Sequence, residues 1–146
     1  HVLSSEMKSD DFEKKYITVV KGIIKDDENT INEPIYRPTD DSIKRDVDPR
    51  GQETISHYKV LEGLNDATVV EVKLETGRTH QIRVHMAHIG HPIIGDELYG
   101  YVDENLIKRQ ALHAYGLKFK QPRTKEVLAF KAEIPDDMKK LIEKLR

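Results

Sequence analysis

LETGRTHQIRVHMAHIGHPIIGDELYG, residues Leu74 to Gly100, carries the densest set of structural and chemical signals in the chain. Val70, Val72 and Leu74 alternate as one face of a strand, which delivers the backbone to a turn at Thr76-Gly77. A helix follows, capped by Thr79 or Thr76, with Ile82, Met86 and Ile89 recurring at helical spacing as its buried stripe. Gly90 supplies a left-handed stop and Pro92 prevents continuation. Arg78, His80, Arg83 and His88 are left toward the flanks of the stripe.

An arginine beside an apolar stripe is held by packing, so its planar fork can be aimed at a carboxylate or phosphate. Arg78 at the turn and Arg83 more than one helical turn later suggest two tasks. Arg78 faces a phosphate near the mouth of a site, and Arg83 lies deeper, paired with an acid inside a pocket. Two solvated surface ion pairs are the alternative that spacing leaves open.

The order of these residues narrows the choice. GRTHQIRVHMAHIGHPIIGD (Gly77 to Asp96) followed by LYG resembles the signature of the RluA-type pseudouridine synthases, which isomerise uridine in ribosomal and transfer RNA. The resemblance continues in KKYITVVKG (Lys14 to Gly22), NEPI (Asn32 to Ile35), SHYKVLE (Ser56 to Glu62) and LHAYGLKF (Leu112 to Phe119), and so spans nearly the whole chain. It implies the pseudouridine synthase fold with an RNA cleft crossing the sheet. By motif position Tyr16 resembles the tyrosine that stacks near the base and serves as general base. Arg83 resembles the basic residue that holds the nucleophilic aspartate ionised, and Leu112 an apolar position lining the uracil pocket. Arg78, His80 and Gln81 complete the substrate-binding set that the motif implies.

One departure qualifies this. Members of the family carry an HRLD-type motif, whose aspartate is the nucleophile, ahead of the segment resembling KKYITV, and these 146 residues contain no such motif. Asp10 and Asp11 lack the His-Arg-Leu context. The expectation is therefore that residues 1–146 are the C-terminal part of a single catalytic domain, inactive alone. A non-catalytic RNA-binding module is the alternative function.

Composition sets the outer bounds. The length fits one domain, and 37% hydrophobic against 34% charged residues implies a modest core. With no cysteine, disulfides and thiolate metal sites are excluded. No apolar run reaches membrane-spanning length, so a cytoplasmic protein without a membrane partner is expected, and a monomer. The net charge of −2 argues mildly against a grip on RNA, yet acids crowd Asp26 to Glu28, Asp40 to Asp48 and Asp136 to Asp137, away from the arginine-bearing unit. His80, His85, His88 and His91 raise the question of zinc, His85 and His88 being one helical turn apart. No glutamate stands in the metalloprotease arrangement, so the expectation is no metal and no cofactor, with His85 buried and hydrogen-bonded.

Along the rest of the chain, Val2 to Lys14 reads as a short helix and YITVVKG as a strand with Tyr16, Thr18 and Val20 on one face. Ile23 to Arg50 reads as loop around an extended piece, Glu33 to Tyr36, offering Arg37, Lys44, Arg45 and Arg50 as phosphate contacts or as solvated charges. Glu53 to Leu61 and Thr68 to Leu74 alternate around a GLND turn and predict an antiparallel hairpin. Ala111 to Phe119 and Glu126 to Ile134 predict two further strands. Met138, Leu141, Ile142 and Leu145 mark a last amphipathic helix after Pro135. The fold class is α+β, with a mostly antiparallel or mixed sheet and flanking helices.

Overall fold

A computed structural model describes residues 13–100, 102–120 and 123–146. Its strands are β1 (Glu13–Lys21), β2 (Glu28–Asn32), β3 (Ile35–Tyr36), β4 (Asp46–Val47), β5 (Ile55–Leu64), β6 (Ala67–Leu74), β7 (Leu112–Lys120) and β8 (Val127–Lys131). The helices are α1 (Gln81–His88) and α2 (Asp136–Leu145). Six strands form one sheet in the order β2-β5-β6-β1-β7-β8, every pair antiparallel, and β3 with β4 makes a separate two-stranded ribbon. The α+β class and the antiparallel sheet agree with the sequence reading.

Apolar alternation explains the centre of the sheet. Ile17, Val19, Val20, Val69, Val70 and Val72 are all buried, so β1 and β6 bury both faces and lie inside the sheet rather than at its edge. β5 and β6 close through Asn65-Asp66, with Asp66 in the left-handed conformation (φ 51) that a tight hairpin turn demands. α2 seals one side with Met138, Leu141 and Ile142. Its C-terminal Arg146 forks onto Glu62, opposite Val69 in the ladder.

Two expectations are corrected here. Glu13 and Lys14 are strand residues at the start of β1, not the end of a lead-in helix, and the remainder of that helix lies outside the described residues. The stretch ENTIN, expected as loop, is the edge strand β2 paired with β5 from Glu28↔Lys59 to Asn32↔Ile55. Only Ile31 of β2 is buried, so the strand is held by its backbone ladder and leaves almost no apolar alternation to read.

The segment after α1 folds back into the sheet. Ile94 N–H donates to the Val19 carbonyl, Val19 N–H to the Ala111 carbonyl and Ala111 N–H to the Ile94 carbonyl, each at 2.9–3.1 Å. Gly95 follows at φ 86, and a Cβ there would be driven into the Arg109 carbonyl oxygen. Gly95→Ala is therefore expected to cost more than about 2 kcal/mol, the left-handed penalty plus a backbone clash. Urea denaturation measures it, and a midpoint equal to wild type would show that the loop can move aside.

Candidate active site

The site begins where β6 hands over to α1. Thr76 Oγ1 accepts Ile55 N–H and donates to Gln81 Oε1, which also accepts Arg78 N–H at 3.0 Å. Gln81 Nε2 donates to the Ile55 carbonyl and to Ser56 Oγ, both at 2.9 Å. All four bonds that a glutamine amide can make are thus used inside the protein. Neither Thr76 nor Thr79 caps the helix as expected. The residue at the cap is His80, left-handed at φ 57 with no side-chain cap bond, because the buried Gln81 amide already gathers the turn around itself. Ile82 and Met86 are buried and Ile89 partly so, as the stripe requires. The helix stops at Gly90 (φ 88), with His91 N–H reaching back to the Met86 carbonyl and Gly90 N–H to that of Ala87.

His85 is fully buried, as expected, between Ser56 Oγ on Nδ1 and the Glu33 carbonyl on Nε2, each at 2.9 Å. A carbonyl only accepts, so Nε2 carries the proton, and a neutral ring takes the Ser56 hydroxyl proton on Nδ1. Burial, the largest influence, holds the His85 pKa below its ordinary value. Between that folded value and the unfolded one near 6.5, the unfolded chain binds more protons. Stability is therefore full above about pH 6.5 and falls as pH drops below it, by at most about 1.4 kcal/mol per pH unit for this residue. Urea midpoints at pH 7.5 and 5.5 should show the fall, and His85→Gln should flatten it. An equal slope in both proteins would remove His85 as the cause.

Arg83 leaves the flank of α1 to meet Asp96 in a bidentate pair, Nε to Oδ2 at 2.9 Å and Nη2 to Oδ1 at 2.8 Å. Asp96 is wholly buried, and the Arg83 side chain is 14% exposed. Burial pushes the Asp96 carboxyl up, but Arg83 and the N–H groups of Leu98 and Tyr99 outweigh it and hold the pKa below the usual carboxylate value. The same fork keeps Arg83 fully charged. Its guanidinium lies over the Tyr99 ring at 5.3 Å, and Nη1 makes no hydrogen bond among the described residues. Tyr99 OH accepts Arg45 N–H at 2.7 Å and meets His80 Nδ1 at 2.9 Å. Burial and then the neighbouring Arg83 and Arg45 charges hold the His80 pKa low.

Ladder register locates the remaining residues. Ser56 and Tyr58 of β5 stand on the face that α1 covers, because Ser56 Oγ meets Gln81 and His85. Tyr58 pairs with Val72, Val72 with Tyr16 and Tyr16 with Ala114, while Thr18 pairs with Leu112. Directly paired residues share a face, so Tyr16 and Leu112 lie on the α1 side of the sheet as diagonal neighbours. Tyr16 is partly buried against the core, with Lys14 Nζ 5.6 Å from its ring, and its hydroxyl has no hydrogen bond among the described residues. Arg78 is partly exposed, its Nε donating to the Glu53 carbonyl at 3.0 Å.

The histidines are dispersed. His91 Nδ1 contacts the Lys21 carbonyl, His88 is exposed, and among the described residues no group of three His, Asp or Glu is arranged to hold a metal. Asp96, Tyr99 and the Arg45 amide were not singled out from the sequence. The signal for Asp96 lay in the quoted motif: it is the first of two acids, Asp96-Glu97, set between a left-handed glycine and LYG in the same unit as two arginines.

A fork aimed and charged by a buried acid beside an aromatic ring, on the helix that packs over the sheet face carrying Tyr16, suits electrostatic work on a planar, polar substrate. The profile of the RNA pseudouridylate synthase family matches residues 1–88, and the chain belongs to that family. It is 46% identical over 97% of its length to an uncharacterised RNA pseudouridine synthase of Bacillus subtilis, covering 50% of that protein. It is 40% identical over 88% of its length to the ribosomal large subunit pseudouridine synthase D of Buchnera aphidicola, covering 46% of it. Among solved structures, human RNA pseudouridylate synthase domain containing 1 superposes with a TM-score of 0.75 at 28% identity, over 90% of this chain and 58% of that one. The fold is that of the pseudouridine synthases, and the chain spans about half the length of the curated relatives it matches.

Proposed function

We propose that residues 1–146 are the C-terminal part of the catalytic domain of an RNA pseudouridine synthase and hold the target uridine for isomerisation. The observation that carries the reading is the Arg83 guanidinium, fixed by buried Asp96 and still presenting Nη1, on the helix that covers the sheet face shared by Tyr16 and Leu112. In the reaction the bond from ribose C1′ to N1 breaks, a bond from C1′ to C5 forms, the C5 proton is removed and N1 gains one. No electron leaves or enters, so no redox cofactor is needed.

In this reading an aspartate from an HRLD-type segment ahead of residue 1 attacks. Buried beneath a base it would tend to protonate, and a hydrogen bond from the Arg83 Nη1 that Asp96 leaves unused would favour its charged form. Tyr16 stacks on the uracil and takes the C5 proton, Leu112 lines the apolar side of the pocket, and Arg78 and His80 stand at its entrance. Gln81, buried and saturated, contributes by fixing the turn that carries Arg78 and His80. The substrate is ribosomal or transfer RNA. That several relatives are ribosomal large subunit pseudouridine synthases favours ribosomal RNA. Extruding the uridine from its stack costs a few kcal/mol, least in loops and distorted helices. Incubation with unmodified RNA followed by pseudouridine mapping tests the reading, as set out below.

A further inference from the structure

The loop joining β3 to β4 and the turn that opens α1 meet in a cavity of about 430 Å³, and we propose that it is a phosphate pocket for the RNA backbone flanking the modified nucleotide. The inference rests on the RNA reading above and assigns it a second contact surface. Tyr36, Arg37, Arg45, Arg50, Arg78 and Thr79 line the cavity, and no carboxylate does. A chain of net charge −2 does not gather four arginines by composition alone.

How these arginines are held matters more than their number. Arg37 donates from Nε to the Ser42 carbonyl at 3.2 Å and from Nη2 to the Asp40 carbonyl. Arg45 Nη1 donates to the carbonyls of Ser42 and Ile43, at 2.9 and 2.6 Å. Arg78 donates to the Glu53 carbonyl. Backbone carbonyls orient a guanidinium without cancelling its charge, so three forks are aimed and three charges kept. Arg50 differs, forked onto Asp48 at 3.0 and 2.8 Å and laid over the Tyr36 ring at 4.3 Å, so it forms a wall and adds less field. Uncompensated, pre-aimed donors in an open cavity suit a dianionic or monoanionic oxygen cluster that arrives from solvent.

The pocket adjoins the uridine site through Arg45, and Arg78 stands at the mouth of both. Arg45 contributes its side chain to the pocket and its N–H to Tyr99 OH, and the Tyr99 ring underlies Arg83. A nucleotide whose base is drawn toward Arg83 brings its own phosphodiester past Arg45, where the cavity opens.

The test is anisotropy of a fluorescein-labelled, single-stranded uridine-containing RNA against potassium chloride from 50 to 200 mM. For a single strand each phosphate contact contributes about 0.7 to the slope of log K against log salt. Arg37→Gln with Arg78→Gln should flatten the slope by about 1.4, and Arg37→Gln alone, on an exposed loop, by about 0.7. The doubly substituted Lys variant should restore it, because a point charge still releases a counterion. Circular dichroism confirms that each variant is folded. An unchanged slope in folded Arg37→Gln overturns the pocket and leaves the RNA reading standing. If the unaltered chain shows no salt-dependent RNA binding, the pocket and the RNA reading fall together.

Discussion

Asp96→Ala is expected to lower the unfolding free energy by about 3–5 kcal/mol, because it strands a nearly buried guanidinium without its counter-charge. Arg83 cannot relieve the cost by losing its proton, and its side chain reaches water through only 14% of its surface. Two N–H groups, of Leu98 and Tyr99, lose their acceptor at the same time. Urea denaturation of Asp96→Ala, Arg83→Met and the double variant forms a cycle that separates these effects. The double variant should be more stable than Asp96→Ala by about 1–3 kcal/mol, since the stranded charge has gone while the orphaned amides remain. A loss below about 1 kcal/mol in Asp96→Ala would mean that the pair contributes little and that Arg83 is positioned by something else.

The second large effect is on chemistry. Residues 1–146 incubated with unmodified ribosomal or transfer RNA should form no detectable pseudouridine, because in the proposed reading Tyr16 and Arg83 position and polarise but neither supplies the attacking carboxylate. A longer protein in which an HRLD-type segment precedes residue 1 should convert the same RNA without added cofactor. In that protein Tyr16→Phe keeps the aromatic face and removes only the hydroxyl, so kcat should fall by about 10²–10⁴ while RNA affinity stays nearly constant. Turnover by the shorter chain would place the nucleophile within residues 1–146. An inactive longer protein would favour an RNA-binding module instead.

What could be read in advance followed from short-range periodicity. Val70, Val72 and Leu74 announced β6, the stripe of Ile82, Met86 and Ile89 announced α1, and Met138, Leu141 and Ile142 announced α2, because each pattern matches the period of its own element. β2 escaped because an edge strand with one buried side chain carries no such pattern. The helix cap was misread because propensity favours a threonine, whereas the tertiary demand on Gln81 placed His80 there instead. Arg83 was legible as a buried fork seeking an acid. That its acid is Asp96, and that Tyr99 supports both, depends on a loop returning to the sheet, and periodicity says nothing about loops.

That return bears on the order in which the molecule assembles. Val19, Ile94 and Ala111 are bound to one another through their main chains although each is distant from the others in sequence. A chain that has closed only the β5–β6 hairpin and wound α1 already owns the arginine but not its anchor, since Asp96 is delivered when residues 93–96 lodge between β1 and the entrance to β7. Contacts of such long sequence separation are slow to form, because loop-closure entropy must be met before they reward the chain. The charged centre is thus expected to close only after β1 has joined the sheet, and to be lost when the β1–β7 pairing opens.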